Sequence, residues 1–332
     1  MANSNLRTGV ASVILSTGSY LPQKIVTNKD LEKKVDTTDE WIFQRSGIRE
    51  RRIAAEGETT GDMAIAAARK ALESAGLKGS DIDGVIVATT TPDRTFPAVA
   101  VKVQAEIGAS VGIAFDVQAV CTGFVYALGV ADNFIRLGQA RRILVIGAEK
   151  MSSVINWEDR TTCVLFGDGA GAVILEAQPE GKEGIKGRGI HSTHLYANGA
   201  QRDLLYTDGG PSTTGKAGCI VMQGREVFKY AVQYMADVVD EALAANNITA
   251  ADLDWLVPHQ ANIRIIEATA KKLDLSMDKV VVTVERHGNT SAASIPLALD
   301  EAVRSKKIKK GDLLLLEGMG GGLTWGAALV RY

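Results

Sequence analysis

The feature that most constrains the fold of this chain is an internal repeat. The segments ALESAGLKGSDIDGVIV (71–87) and ALAANNITAADLDWLVP (242–258) share a helix–loop–strand pattern, and their matched leucines and aspartates lie 171 positions apart. LVIGAEKM (144–151) matches LLEGMGGG (315–322) at the same separation. Several matches in the same order indicate a duplicated structural unit. The sequence therefore predicts two related halves, 1–178 and 179–332, with an irregular excursion at about 179–219.

Apolar strands alternate with helices in the first half. Stretches of helical composition without an internal proline occur at 60–75 and 122–137. The runs that predict strands are GVASVILSTGSYLP, DGVIVATTT, GIAFDVQAV, RRILVIGAE and GAGAVILEA. This alternation favours an α/β architecture, in which active-site groups gather where strand ends meet.

Composition disfavours several classes of protein. The 37 basic and 39 acidic residues give a net charge of −2, which disfavours a nucleic-acid partner. No apolar run is long enough for a membrane span, and the N-terminus lacks the pattern of a secretion signal. The three cysteines form no disulfide framework, and with the four histidines they show no metal-ligand spacing. We therefore expect a cytoplasmic protein with no metal site.

Three residues at predicted strand ends form the candidate catalytic group. Cys121 lies between a strand and a helix, and a thiol at a helix start is expected to have a lowered pKa. Asn289 lies 168 positions after Cys121, at what the repeat indicates is the comparable junction of the second half. His259 follows another predicted strand. A thiolate can accept an acyl group from a thioester, and neutral His and Asn can donate hydrogen bonds to an enolate. The glycine triplet 320–322 is either a flexible turn or a backbone donor completing an oxyanion hole with the Cys121 amide.

Simpler interpretations exist for each of these side chains. An isolated cysteine is more often a small buried residue, and an isolated histidine more often packs in the core or on the surface. The joint placement of Cys121, His259 and Asn289 at strand ends favours catalysis over these alternatives. Cys163 and Cys219 lack such a context and are interpreted as structural.

Six motifs spread over the whole chain resemble the 3-oxoacyl-[acyl-carrier-protein] synthase III family. They are DEWIFQRSGIRERRI (39–53), AVCTGFVYAL (119–128), NWEDRTTCVLFGDGAGA (156–172), VPHQANIRII (257–266), HGNTSAAS (287–294) and GGGLTWGAALVRY (320–332). The resemblance implies a thiolase-like five-layered αβαβα fold, a homodimer, and no cofactor other than a coenzyme A thioester used as substrate. It also implies the condensation of an acyl-CoA primer, by default acetyl-CoA, with malonyl-[acyl-carrier protein], the first condensation of type II fatty-acid synthesis.

The resemblance also implies roles for the residues of the reaction centre. Cys121 resembles the acyl-accepting nucleophile, and His259 and Asn289 complete the catalytic triad. Gly321 resembles the second oxyanion-hole donor, beside the Cys121 amide. Phe96 resembles the residue that reaches across the dimer to close the acyl pocket of the partner subunit.

Substrate and partner contacts are implied in the same way. The residues that resemble coenzyme A contacts are Trp41, Arg45, Arg160, Gly224 and Phe228. A docking face for the acidic acyl carrier protein is implied at Arg264, Lys271 and Lys272. The plainer alternatives are a core tryptophan and solvated surface arginines, and a second basic cluster at 304–310 has no assigned role.

Other functions remain open at this point. A related condensing enzyme would use a longer or branched primer or serve a polyketide pathway. Elongating synthases use two histidines and thiolases a second cysteine near the C-terminus, and HGNTSAAS and 320–332 match neither. A catalytically dead partner subunit is disfavoured by the intact Cys121, His259 and Asn289, and a cysteine protease is disfavoured by the internal repeat.

Overall fold

The computed structural model describes residues 9–181 and 184–332, so residues 1–8 and residues 182–183 of the predicted excursion lie outside the described residues. The strands are β1 (Val10–Tyr20), β2 (Lys24–Thr27), β3 (Glu50–Ile53), β4 (Gly84–Ala88), β5 (Ile113–Val117), β6 (Arg142–Lys150), β7 (Asp168–Pro179), β8 (Gly189–Ala197), β9 (Leu205–Thr207), β10 (Ile220–Met222), β11 (Trp255–Pro258), β12 (Leu313–Gly320) and β13 (Thr324–Arg331). The α-helices are α1 (Asn28–Leu31), α2 (Asp39–Ser46), α3 (Thr60–Ala75), α4 (Val99–Ile107), α5 (Gly123–Arg136), α6 (Gly224–Ala245), α7 (Ile263–Lys272), α8 (Val284–His287) and α9 (Ser294–Arg304). None of the helices in these two ranges is both long enough and apolar enough to cross a bilayer.

A five-stranded sheet in the order β1-β7-β6-β4-β5 forms the base of the first half. β4 runs parallel to β5 and β6, whereas β7 is antiparallel to both of its neighbours, β1 and β6. Successive side chains of β6 point to opposite faces of the sheet, and both faces are apolar: Val145 packs toward the centre of the molecule and Leu144 toward its outside. Strands that are apolar on both faces need cover on both sides, which explains why helices flank this sheet.

The second sheet repeats the first almost strand for strand. Its order is β11-β12-β13-β8, with β11 parallel to β12 and with β13 antiparallel to both β12 and β8. These strands correspond to β4, β6, β7 and β1. The counterpart of β5 is reduced to one parallel bridge between Leu256 and Val280. Two related halves are therefore present, while their exact division at residues 178 and 179 stays a prediction.

Helices and sheets stack in five layers. α5 and α9 lie between the two sheets, where one apolar cluster joins residues from both. α3 and α4 cover the outer face of the first sheet. α6 and α7 cover the outer face of the second. The α/β class and the αβαβα layering expected from the sequence are confirmed.

Residues 189–197 differ from the sequence-based expectation of an irregular excursion. They form β8, the edge strand that pairs with β13. The segment GIHSTHLYA has no continuous apolar run, and most of its residues are only half-buried. Its strand conformation is set by pairing with a distant strand, a tertiary contact that local propensity does not report.

Sharp turns lead into the two central helices. Val120 and Ser291 have φ angles of 49° and 50°, in the left-handed region, and each begins a 3₁₀ turn, Val120–Thr122 and Ser291–Ala293. This conformation is strained for residues other than glycine, and most so for a β-branched valine, so the surrounding packing must hold it in place. The two turns lead directly into α5 and α9.

These turns correct the sequence-based pairing of Cys121 with Asn289. The left-handed residues of the two turns lie 171 positions apart, the same spacing as the rest of the repeat. At this spacing the counterpart of Cys121 is Ala292, and Asn289 corresponds to Gln118. The expected offset of 168 is therefore wrong by three residues, because no identical residues near the junction mark the register.

Candidate active site

A cavity of about 490 Å³ lies where strand ends of both sheets converge. Its volume falls within the usual range of small-molecule sites in proteins. Residues that follow β4, β5, β6, β11 and β12 border it, namely Thr90, Cys121, Met151, His259 and Gly321. The carboxyl ends of parallel strands are where open α/β sheets commonly bind ligands.

The cavity brings together the three predicted catalytic residues. Cys121 lies in the 3₁₀ turn before α5, His259 directly follows β11, and Asn289 follows α8. Their exposed fractions are 4%, 3% and 7%, so all three are buried. Their arrangement depends on contact between the two halves of the chain.

The resting Cys121 thiol differs from the sequence-based expectation. Burial raises the pKa of Cys121 to about 12; a hydrogen bond with Ser291 lowers this pKa, and the nearby Glu149 carboxylate raises it. The expected lowering of the pKa is therefore wrong, because the loss of hydration around sulfur outweighs the effect of the helix start. The resting Cys121 side chain is therefore a neutral thiol at pH 7.

His259 is held as a neutral imidazole. Burial lowers its pKa to about 3. Its Nδ1 lies 2.6 Å from the Ser294 Oγ, and that oxygen also accepts the Gln260 N–H at 3.3 Å. In the described ranges the Ser294 hydroxyl has no other acceptor, so we assign its proton to the bond with Nδ1. The ring proton then lies on Nε2, which is left as a donor.

Asn289 is fixed through both its backbone and its side chain. Its N–H donates to the Leu165 carbonyl at 2.8 Å, and its carbonyl accepts the Gly167 N–H at 3.0 Å. Its Oδ1 accepts the Ser291 N–H at 2.9 Å. Because the amide oxygen is occupied in this way, the NH₂ group is the part of the side chain left to donate. His259 and Asn289 thus offer N–H donors at one cavity.

Arg51 supports the segment that holds Asn289, and the sequence analysis did not single it out. Its fully buried guanidinium donates to the Val164 carbonyl at 2.7 Å and to the Asn28 side-chain oxygen at 2.9 Å. Burial lowers the Arg51 pKa to about 10. Arginines are seldom fully buried, so sequence alone favours an exposed position for this residue. The only sequence feature that pointed to Arg51 was its position in the GIRERRI segment of the motif at 39–53.

The end of β12 approaches the cysteine closely. A side chain at Gly320 would come within 2.7 Å of the Cys121 nitrogen and 2.9 Å of its Cβ, so only glycine fits at this position. Gly321 is the next residue and borders the cavity. The backbone of the glycine triplet therefore lies beside the Cys121 amide, where the sequence predicts an oxyanion hole.

Trp41, Arg45 and Arg160 form one cluster. The guanidinium carbons of Arg45 and Arg160 lie 4.6 Å and 5.4 Å from the centre of the Trp41 ring, within cation–π distance. The Asn262 side-chain amide donates to the Arg45 carbonyl at 2.9 Å, and Asn262 borders the cavity. The predicted nucleotide contacts are thus close to one another and linked to the cavity wall.

The other predicted coenzyme A contacts border the cavity itself. Gly224 and Phe228 lie in the first turns of α6 and contribute to its wall. Arg264 of α7 places its guanidinium carbon 5.6 Å from the centre of the Phe228 ring. A predicted carrier-protein contact therefore lies against the cavity wall.

The basic face of α7 is weaker than the sequence suggests. Arg264, Lys271 and Lys272 are all exposed on this helix. Lys272 forms an ion pair with Asp237 at 3.0 Å, and the exposed Glu267 adds negative charge to the same helix. Arg264 and Lys271 form no ion pair within the described part of the chain, so they are the stronger candidates for docking.

Phe96 lies outside the group that borders the cavity. It is 81% exposed, on the segment between β4 and α4. An aromatic side chain with this exposure is unusual on an isolated surface. Its predicted contact with a partner subunit stays a prediction.

The other candidate ligands and nucleophiles lie elsewhere. Cys163 is buried and Cys219 half-buried, both are unpaired, and neither borders the cavity. Among the residues that the structure describes, no three His, Cys, Asp or Glu side chains are grouped to hold a metal ion.

Comparison with known proteins gives consistent matches along the chain. The family description "3-Oxoacyl-[acyl-carrier-protein (ACP)] synthase III" matches residues 115–199, and the description of the C-terminal part of the same family matches residues 243–332. Beta-ketoacyl-[acyl-carrier-protein] synthase III of Paramagnetospirillum magneticum is 65% identical to the chain over 322 residues, covering 97% of this chain and 99% of that protein.

Solved structures agree with these matches. The 3-oxoacyl-[acyl-carrier-protein] synthase III from Aquifex aeolicus is 50% identical with a TM-score of 0.91, covering 97% of this chain and all of that one. The priming β-ketosynthase of the R1128 polyketide biosynthetic pathway is 37% identical with a TM-score of 0.88, covering 96% of each chain. The resemblance of the six motifs is confirmed, and the chain belongs to the 3-oxoacyl-[acyl-carrier-protein] synthase III family, with its thiolase-like fold.

Proposed function

We propose that this chain is the acyltransferase that performs the first condensation of type II fatty-acid synthesis. It joins an acyl-CoA primer to malonyl-[acyl-carrier protein] and yields 3-oxoacyl-carrier protein, coenzyme A and carbon dioxide. The observation that carries the proposal is the meeting of the buried residues Cys121, His259 and Asn289 at one cavity. The high identity to a synthase III over almost the whole chain supports it. No cofactor beyond the coenzyme A thioester is proposed.

Acylation is the first half-reaction. The Cys121 sulfur attacks the thioester carbonyl, a new carbon–sulfur bond forms, and the bond to coenzyme A breaks. The thiol proton ends on the coenzyme A sulfur, so the exchange needs no external acid or base overall. The backbone N–H groups of Cys121 and Gly321 stabilise the tetrahedral oxyanion. Because burial raises the pKa of Cys121 to about 12, its deprotonation is coupled to the attack.

Decarboxylation and condensation form the second half-reaction. The malonyl carboxylate leaves as carbon dioxide, and its bonding electrons pass to the α-carbon and the thioester oxygen. His259 Nε2–H and the Asn289 NH₂ group donate to that oxygen, where negative charge develops. The carbanion then attacks the acyl-enzyme carbonyl, the bond to the Cys121 sulfur breaks, and the sulfur takes up a proton from solvent. No side chain has to remove a carbon-bound proton.

The proposed contacts with substrate and partner lie on the walls of the cavity and on the surface around it. The nucleotide end of coenzyme A stacks on Trp41 with Arg45 and Arg160 beside it, and its pantetheine arm passes Gly224 and Phe228. The acidic carrier protein docks on the exposed cations of α7, Arg264 and Lys271 foremost. In a homodimer, Phe96 is covered by the partner subunit, whose acyl pocket it closes. The cytoplasmic location stays a prediction of the sequence.

Priming of a polyketide pathway is the second candidate. The similarity to the R1128 priming β-ketosynthase favours it, at 37% identity. The identity to the synthase III of Paramagnetospirillum magneticum is 65%, which favours fatty-acid synthesis. A turnover panel of acetyl-, branched and medium-chain acyl-CoAs with malonyl-carrier protein separates the two, since the first proposal expects acetyl-CoA to react fastest.

Radiolabelled acetyl-CoA tests the nucleophile directly. We expect the label on the peptide that contains Cys121, and no label in Cys121→Ala. Cys219→Ala is the matched control, because this cysteine is unpaired, half-buried and outside the cavity. Label on Cys163 or Cys219, or label retained in Cys121→Ala, contradicts the assignment.

A further inference from the structure

The wall of the candidate cavity contains one permanent charge. Among the described residues that border the cavity, Arg202 is the only one that is charged at neutral pH. The others are apolar, neutral polar or glycine, and His259 is held neutral by burial. Arg202 lies in the 3₁₀ turn Gly199–Leu204, before β9. Its side chain is 71% exposed, whereas Cys121 is buried, so the guanidinium lies at the mouth of the cavity. No step of the proposed reaction uses it.

The turn that carries Arg202 is anchored to the elements that form the cavity. Just before the turn, the Asn198 N–H donates to the Leu323 carbonyl at 2.8 Å, in the segment between β12 and β13. Inside the turn, the Tyr234 hydroxyl of α6 donates to the Gln201 side-chain oxygen at 3.0 Å. The position of the Arg202 backbone is therefore fixed before any ligand binds, and only its side chain has to become ordered.

The guanidinium of Arg202 is available to a bound anion. Its one ion pair within the described ranges is with Asp203, at 3.6 Å, and the side chains of both residues are largely exposed. An exposed ion pair contributes little to stability, so a bound anion can replace it. A guanidinium presents a rigid fork of N–H donors that matches the oxygens of a carboxylate or a phosphate. The mouth of the cavity therefore favours a ligand with an anionic group at this position.

The proposed substrates carry two kinds of anionic group. The malonyl carboxylate is lost at the reaction centre, where Cys121, His259 and Asn289 are all buried, so it does not lie at the exposed mouth. A cation on that carboxylate would also stabilise the ground state and oppose the loss of carbon dioxide. The other anion is the phosphate at the far end of the pantetheine arm. Coenzyme A and the carrier protein both have a phosphate there, because the same arm is joined to a nucleotide in one and to a serine in the other.

We propose that Arg202 binds the phosphate at the end of the pantetheine arm, in acyl-CoA and in malonyl-carrier protein alike, and so makes both half-reactions specific for phosphorylated thioesters. This inference rests on the proposed function. Arg202 differs in this role from Arg264, whose proposed partner is the carrier protein alone. Holding the phosphate at the mouth also orients the arm, so that its thioester lies near the buried Cys121.

Thioesters that differ in the phosphate test this proposal in the full-length protein. The probes are acetyl-CoA, acetyl-phosphopantetheine and acetyl-pantetheine, and the second-order rate constant of acetyl transfer to the enzyme is measured for each. In Arg202→Gln this constant should fall about fivefold for the first two probes, the size expected of an exposed ion pair, and stay unchanged for acetyl-pantetheine. The KM for malonyl-carrier protein should rise by about the same factor. Added salt should reduce these differences, because exposed charges are screened.

Two variants control the experiment. Arg202→Lys keeps the positive charge and should recover part of the loss. Arg69→Gln removes another exposed guanidinium that lies 3.6 Å from an exposed carboxylate, that of Glu106, but on α3 and outside the cavity wall, so it should change none of the rates. An equal loss with acetyl-pantetheine, no loss with any substrate, or a loss confined to coenzyme A or to the carrier protein overturns the proposal. Failure of the acetyl label to appear on Cys121 of the unchanged protein would instead overturn the proposed function, so the two failures are distinguishable.

Discussion

Replacing Ser294 by alanine tests how the protein orients His259. The Ser294 Oγ lies 2.6 Å from His259 Nδ1, both residues are buried, and the Gln260 N–H donates to the same oxygen. Ser294→Ala leaves these two groups without their partner in a site that excludes water. A buried polar group that loses its partner costs about 1–3 kcal/mol. The ring proton is then no longer held on Nε2, the nitrogen proposed to donate to the enolate.

If that cost appears in the transition state for decarboxylation, carbon dioxide release falls about 10- to 100-fold, because each 1.4 kcal/mol corresponds to a factor of ten. The assay starts from preformed acetyl-enzyme and measures carbon dioxide from malonyl-carrier protein, with acetyl transfer from acetyl-CoA measured separately. Acetyl transfer should change less than about threefold, since it depends on the thiol and the oxyanion hole.

Two serine variants control this experiment. Ser294→Thr keeps the hydroxyl and should retain most of the decarboxylation rate. Ser305→Ala removes a serine hydroxyl at the far end of α9, where it donates to the Ala302 carbonyl, and should leave both rates unchanged. Equal losses of acetyl transfer and decarboxylation in Ser294→Ala, or no loss in either, would refute the assigned orientation of His259.

Three other predictions concern docking and pH. Arg264→Glu reverses an exposed charge on α7, so KM for malonyl-carrier protein should rise while acetyl transfer from coenzyme A stays nearly unchanged. An equal loss of both reactions would instead show that α7 maintains the structure of the whole site. Burial lowers the pKa of His259 to about 3, so the single-turnover rate of carbon dioxide release should show no acid limb near pH 6.5, where an ordinary histidine titrates. His259 binds a proton more readily in the unfolded chain than in the folded one. The free energy of unfolding should therefore fall as the pH drops from about 6.5 toward 3. Denaturant titrations of His259→Gln should show a smaller loss of stability in that pH range.

Local patterns in the sequence were enough to predict much of the fold. The helix expected at 60–75 is α3, and the apolar run around residues 84–88 contains β4. Both carry the apolar periodicity of buried elements, which does not depend on the rest of the chain. The internal repeat also predicted the organisation of the whole chain, because it indicated a second half that resembles the first.

Features that depend on tertiary contacts were missed or wrong. β8 lacks a continuous apolar run, and its conformation comes from pairing with β13. The pKa of Cys121 is raised because the folded chain removes water from the sulfur, whereas the sequence shows only a helix start. The predicted docking role of Lys272 stays a prediction, and the sequence did not show the ion pair that Lys272 forms with Asp237 of a different helix.

The candidate site shows the same contrast between features that local sequence predicts and features that depend on tertiary contacts. The chemical types and strand-end positions of Cys121, His259 and Asn289 were visible in the motifs. The residues that orient them were not, because Ser294 and Ser291 are small polar side chains whose partners lie far away in sequence or in the other half of the chain. Only the folded structure shows which serine contacts which candidate catalytic residue.

The central claim is that Cys121 carries the acyl group while His259 and Asn289 serve the decarboxylation. The most direct test is to measure acetyl-enzyme formation and carbon dioxide release separately in Asn289→Ala. The account predicts that carbon dioxide release falls by about 10²–10³, the usual cost of losing one donor to a developing oxyanion, while much of the acetyl transfer to Cys121 survives. Loss of acetyl transfer as severe as the loss of carbon dioxide release would contradict it.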